Sequence, residues 1–146
     1  MIRSRKDTVT APSAEEAMKQ YLEKLNSGKS GCVSPDETMA AIRSVLWKNC
    51  NVVRSGKHLA EALAVIRGLH ADYNSAMLVR AGTPIAQAIA AESSLTTAEA
   101  LLLAADGRRE SRGAHYRQDF PDRDDEQYKK RQFITLEEGR LVSNFR

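Results

Sequence analysis

Aromatic side chains are scarce, at 5% of the 146 residues with a single Trp. A sheet core leans on aromatic and β-branched residues, so this scarcity, beside the recurrence of Ala and Leu, predicts helices packed closely through small side chains. Cysteine is nearly absent. Cys32 and Cys50 share no CxxC spacing, and a chain of this length can bury a core without cross-links, so both are read as reduced thiols of a cytoplasmic-type compartment. No stretch approaches the roughly 20 apolar residues of a membrane span, and Met1 is followed by Ile2, Arg3, Ser4, Arg5 and Lys6 with no apolar run behind them. A soluble chain without a signal peptide is expected. An excess of one charge is lacking too: 22 basic residues are interleaved with 19 acidic ones, for a formal charge of +3 and a pI near 9.0, so nucleic acid is not implied as a partner. There is no Gly-rich phosphate loop, nucleophile elbow or HExxH helix, which leaves nothing that builds a substrate pocket.

What the chain does have is helix punctuation. Ser13 with Glu16 three residues on reads as a reciprocal cap, followed by Ala17, Tyr21 and Leu25 on one face. Residues 26–31 (NSGKSG) end that helix as a Gly/Ser linker. Ser34, Pro35, Asp36 and Glu37 open a second helix with a capping residue, a proline at the first helical position and acids in the first turn. Its stripe is Met39, Ile42, Val45 and Leu46, with Trp47 beside them as a core or interface anchor, and it fades at Asn49, Cys50 and Asn51. After a short apolar link at Val52 and Val53, Ser55 caps a third helix with the stripe Leu59, Ala62, Leu63, Ile66, Leu69, Tyr73 and Met77. Thr83 before Pro84 repeats the cap-then-proline device for a fourth helix ending near Gly107, whose Ala88, Ala91, Leu95, Ala98, Leu102 and Ala105 share a face.

The fold expected is all-α: a three-helix up-and-down bundle with an extra N-terminal helix and an irregular C-terminal tail. Residues 1–33 form the lead-in, short helix and linker, residues 34–112 the bundle, and residues 113–146 the tail. Short strands are expected near Gln132, Phe133 and Ile134, and near Leu141 and Val142.

Residues 110–125 are too rich in specific polar groups for a generic linker. Planar guanidinium donors on Arg112, Arg117 and Arg123 match the carboxylates of Asp119, Asp122, Asp124 and Asp125, either as an internal network, as a grip on an external carboxylate or phosphate, or as a solvated charged tail. His115 reads as a histidine bonded to a backbone or carboxylate group at a domain contact, because acid–base work needs a pocket. His58 and His70 stand twelve residues apart on one helix, about 120° around its surface, so no shared metal is expected. Trp47 and Arg54 suggest a cation–π pair less readily than a packing anchor.

The run ESRGAHYRQDFPDRDDEQY, residues 110–128, closely resembles the C-terminal signature of succinate dehydrogenase and fumarate reductase flavoprotein subunits. Residues 46–63 look like that family's helix pair joined by a Val-Gly-x-x-Arg turn, with Asn51 where Gly is usual; Tyr128 stands where Trp is frequent. The resemblance covers about residues 34–130 and implies a spectrin-repeat-like bundle with an extended tail. It also implies that FAD and the catalytic residues belong to other domains of the parent protein, so this chain carries no catalytic, cofactor-binding or metal-binding residue and is expected to be inactive alone. Its expected role is docking against the flavin-binding and capping domains, with Arg112, Gly113, His115, Arg117 and Asp119 at the interdomain contact and Gly113 turning the backbone out of the fourth helix. An iron-sulfur subunit is a further implied partner, and the implied location is cytoplasmic, at the periphery of the inner membrane through the parent complex. L-aspartate oxidase shares the fold and a similar SRG-x-H stretch; Ala114 and residues 123–125 favour the succinate/fumarate side. A free-standing helical-bundle interaction protein is the alternative of a different class.

Overall fold

Ala88, Ala91, Leu95, Ala98, Leu102 and Ala105 recur at three- and four-residue spacing, and all six are buried. They form the spine of the computed structural model, which describes residues 13–26, 34–76 and 84–146. The elements run α1 (Ala14–Asn26), α2 (Pro35–Asn49), β1 (Val53–Arg54), α3 (Gly56–Ala76), α4 (Ile85–Gly107), β2 (Tyr116–Arg117), α5 (Asp125–Tyr128), β3 (Gln132–Glu137) and β4 (Arg140–Phe145). The expected all-α bundle is present: α2, α3 and α4 pack against one another. Four alanines on one stripe of α4 let its neighbours approach. Leu59, Ala62, Ile66 and Tyr73 of α3 and Ile42 of α2 fill the space between, each large aliphatic side chain contributing about 1.5–3 kcal/mol by burial. Tyr73 is wholly buried and donates its hydroxyl to the Ala88 carbonyl at 2.9 Å, which ties α3 to the first turn of α4.

The reciprocal cap of α1 forms as expected. The Ser13 amide donates to Glu16 Oε2 at 2.9 Å, and the Glu16 amide to Ser13 Oγ at 3.2 Å. At α2 the position is right but the device differs: Ser34 is the cap residue, yet its side chain makes no capping bond, and its carbonyl instead accepts from the backbone and hydroxyl of Thr38. Pro84 occupies the cap position of α4 rather than the first helical one. Leu25's side chain, Cys32, the Gly/Ser linker, Met77 and Thr83 lie outside what is described.

Four expectations need correction. α4 is long and apolar enough, by length and composition, to cross a membrane, where no such stretch was foreseen; in the bundle its apolar stripe faces α2 and α3. Of the two roles read for Trp47, core or interface anchor, its 77% exposure removes the core. The link runs into a short strand, Val53–Arg54, which pairs in parallel with Tyr116 and Arg117. The tail beyond Arg131 is a regular antiparallel hairpin, with Glu137 opposite Arg140 across a Glu138-Gly139 turn. Both turn residues have positive φ, 49° and 77°, the backbone of a two-residue type I′ turn that matches strand twist. The hairpin lies on α4, where Gln132 Nε2 donates to the Ala104 carbonyl at 2.9 Å and a Cβ on Gly107 would come within 3.1 Å of Gln132 and Ser143.

Candidate functional site

An α-helix leaves carbonyls unsatisfied at its C-terminus and amides unsatisfied at its N-terminus, with partial charges to match. The C-terminus of α4 and the N-terminus of α3 lie side by side, and one ion pair answers both. Arg117, 1% exposed, donates through Nη1 to the carbonyls of Ala105 at 3.0 Å and Asp106 at 3.1 Å. Its Nε and Nη2 form a two-pronged pair with Asp119, each at 2.8 Å. Asp119 in turn accepts the amide of Gly56, the first residue of α3, at 3.0 Å. The arginine fork holds the Asp119 carboxyl well below the usual carboxylate range, helped by that amide and opposed by burial. A Cβ on Gly56 would stand 2.9 Å from Asp119 Oδ2 and 3.0 Å from Arg117 Nη2, so glycine is what permits the approach. The ring of Phe120 lies under the guanidinium, 5.1 Å from its centre.

A second hub sits beside the first. Glu110 is fully buried and accepts four donors: Arg108 Nη1 at 2.6 Å, Arg112 Nε at 2.8 Å, Arg112 Nη2 at 2.9 Å and the Asp124 amide at 2.9 Å. Those bonds, Arg112's first, lower its pKa to about 2 against the opposing effect of burial. Arg112 reaches on to Asp125 at 2.6 Å, which Arg123 also grips, and Asp124 caps α5 by accepting from the Gln127 amide. Arg108 also lies over the rings of Tyr128 and Phe145, which meet edge to face at 5.3 Å, so Tyr128 serves as an aromatic surface.

His115 joins the hubs. A carbonyl only accepts and a guanidinium only donates, so the ring's two contacts fix its tautomer: Nε2–H donates to the Arg108 carbonyl at 3.0 Å, and the Nδ1 lone pair accepts from Arg54 Nη1 at 2.6 Å. Gly113 has φ 58°, and Arg112 and His115 exchange both backbone bonds across Gly113 and Ala114, a two-residue turn with glycine first. Gly113 therefore turns the loop on itself; α4 had already ended at Gly107. Asn51, by contrast, uses no left-handed backbone, and its side chain accepts from the Val52 amide at 2.8 Å.

Of the three readings of the charged run, the internal Arg–Asp network is the one that forms. Arg112, Arg117 and Arg123 take Asp125 and Asp119, while Asp122 contributes a carbonyl to the Ser111 amide. Composition missed the two groups at the centre, Glu110 and Arg108, and the role of Arg54, which forms no cation–π contact with Trp47 among the described residues. The available signal was the alternation Arg108, Glu110, Arg112, in which like-facing positions carry opposite charge.

With the charges turned inward, the outer face is apolar. Arg54 and Arg117 lie on the inner side of the β1–β2 ladder, while their neighbours Val53 and Tyr116, paired across it, are 54% and 42% exposed. Val52 and Phe120 are exposed alongside. Among the described residues no three His, Cys, Asp or Glu stand close enough to hold a metal. Arg108, Arg112, Arg117 and Arg123 are committed to carboxylates within the chain, and Val53 and Tyr116 stand exposed on the other side of the ladder.

Comparison with known proteins places this geometry. The family model for the fumarate reductase flavoprotein C-terminus matches residues 39–143. The L-aspartate oxidase of Streptomyces coelicolor is 32% identical over 111 residues, 75% of this chain and 19% of that protein. A succinate dehydrogenase flavoprotein subunit of Rickettsia bellii is 24% identical over 143 residues, 92% of this chain and 24% of that protein. Among solved structures, E. coli quinol fumarate reductase superposes with a TM-score of 0.77 at 16% identity, covering 90% of this chain and 23% of that one, a likeness of fold. The chain spans about a fifth to a quarter of the length of the curated relatives it matches.

Proposed function

Because this chain belongs to the family of fumarate reductase flavoprotein C-terminal domains, we infer that it is the docking domain of an FAD-linked oxidoreductase, supplying a rigid surface and no reacting group. The observation that carries the reading is the sorting of side chains on the β1–β2 ladder. Arg54 and Arg117 face in and are satisfied there, leaving Val53 and Tyr116 facing out. A parallel pair of strands is ordinarily covered on both faces, and here the outer face is bare. Apolar groups flanked by polar ones on a surface are what a mating domain buries. Arg112, Gly113, His115, Arg117 and Asp119 contribute by shaping the loop that carries this face, with Gly113 and Ala114 at its exposed tip.

The flavin-binding and capping domains are the partners proposed, and succinate–fumarate interconversion the reaction of the whole protein, which would place it beside an iron-sulfur subunit at the inner membrane. The second reading, an L-aspartate oxidase, is favoured by the 32% identity with the Streptomyces enzyme. Both assign the same role to this domain. The test is Tyr116→Asp in a complete flavoprotein carrying this domain: flavin retention and the thermal midpoint should both fall, while the isolated domain melts as before. Unchanged flavin content and unchanged melting of the complete protein would refute docking through this face.

A further inference from the structure

His115 is a half-buried imidazole among three guanidinium groups, contributed by every element that packs on it: Arg54 from β1, Arg108 from the end of α4 and Arg117 from β2. Two of these carry their own carboxylates, Glu110 on Arg108 and Asp119 on Arg117, with Asp106 a more distant 3.9 Å from Arg117. Arg54 is different. Its hydrogen bonds go to the Asn51 carbonyl at 2.6 Å and to Nδ1 of His115 at 2.6 Å, both uncharged acceptors. The nearby thiol of Cys50 is pushed up by burial and adds no negative charge.

We propose that His115 is a proton-operated latch: neutral, it clasps Arg54 and so holds the 112–118 loop against β1, and protonated, it releases that loop. The chemistry is a change of hydrogen-bond sign. Protonation at Nδ1 turns the acceptor of the Arg54 bond into a donor, setting two N–H groups and two positive charges face to face at a separation that only a bond could sustain. The Nε2–H bond to the Arg108 carbonyl survives, so opening pivots on that contact and frees the β1 side. The parallel ladder keeps its backbone bonds, from the Tyr116 amide to the Val52 carbonyl and from the Gln118 amide to the Arg54 carbonyl, with Asp119 on the Gly56 amide beyond them. Burial first, and then the charges of Arg54, Arg117 and Arg108, hold the imidazole below its ordinary pKa against the upward pull of the Arg108 carbonyl.

A group whose closed-state pKa is depressed binds its proton more readily in the open state. The closed form is therefore favoured in full above about pH 6.5, and the open form gains about tenfold per pH unit below that until the closed-state midpoint is passed. Added to the docking reading, and resting on it for its consequence, this makes the outer face of the ladder a surface that loosens in acid.

The experiment needs the chain alone, so it is separable from any docking assay. Amide exchange, corrected for intrinsic rates, is followed from about pH 7.5 to about pH 5 alongside the ring signals of His115. Protection at Tyr116 and Gln118 should fall tenfold per unit within the window while the amide of Leu95 is unmoved. His115→Gln, which offers one donor and one acceptor without titrating, should keep the loop amides flat. Superimposable pH profiles for the two proteins, or a ring that protonates near 6.5 with the loop still protected, would overturn the latch. Should the glutamine variant not fold, Arg54→Met replaces it: removing the opposing guanidinium should raise the His115 midpoint, and an unmoved midpoint overturns the proposal equally.

Discussion

The bundle and the segment that follows it are held together by different physics. Between α2, α3 and α4 the contacts are alanine, leucine, isoleucine and one hydrogen-bonded tyrosine. Between residues 108 and 125 they are charges: Glu110 among Arg108 and Arg112, Arg117 on Asp119, Arg123 on Asp125. Apolar burial is non-directional and tolerates sliding, whereas two-pronged arginine–carboxylate pairs demand one geometry. The first kind of contact makes the domain stable; the second makes one loop specific in shape. The two regions meet where Arg117 and Asp119 bridge the end of α4 to the start of α3, and along the β1–β2 ladder beside them.

The comparison can be broken most severely from the apolar side. Leu95→Ala should cost about 3–4 kcal/mol by leaving a cavity beside an otherwise unmoved core, and should lower the denaturant midpoint of helix and loop together. A loss confined to the loop would contradict a shared core. From the charged side, Arg117→Met keeps volume but strands Asp119 and the α4 carbonyls, at a cost of about 3 kcal/mol. Its sharper signature is a loop that loses amide protection before the helices melt, and simultaneous melting would show the two regions to be one cooperative unit.

Gly56→Ala tests the meeting point. The added methyl stands within about 3 Å of both partners of the ion pair, and a penalty of about 1–2 kcal/mol is expected from displacing them. A neutral outcome would mean the clamp can shift without consequence. The gentlest probe is acid. Glu110 and Asp125 are both held near a pKa of about 2, Glu110 chiefly by Arg112 and Asp125 chiefly by Arg123. A depressed carboxylate contributes stability that is complete above its unfolded pKa, about 4.3 for Glu and about 3.9 for Asp, and is lost as the pH falls toward 2. Loop protection should therefore decline across that interval while far-ultraviolet helicity persists; parallel loss of both would erase the distinction.

Much of the bundle was legible in the sequence because a helix writes its own period. The α4 stripe, the Ser13 and Glu16 cap and the proline-led start of α2 are all local, and each is settled by residues three or four apart. The strand at Val53 was illegible because its partner lies at Tyr116, far along the chain, and two residues carry no period. The hairpin was half legible: its strands were visible in part, but the Glu138-Gly139 turn that sets their register went unread. Trp47 was legible no further than core or interface, because the choice of face depends on neighbours that local pattern does not name.

For the site, composition identified the charged run and the pairing of its arginines with carboxylates, while Arg112, His115, Arg117 and Asp119, named with Gly113 for an interdomain contact, hold bonds within the chain. Direction was beyond it. That Arg117 points into the bundle, that Glu110 disappears beneath two arginines and that Arg54 meets His115 depend on where the ends of α3 and α4 fall in space. The chain's own periodicity determined its helices and their apolar faces, since those are properties of consecutive residues. Only the packed structure decided which charges are buried, because burial is set by what two distant segments exclude from water when they meet.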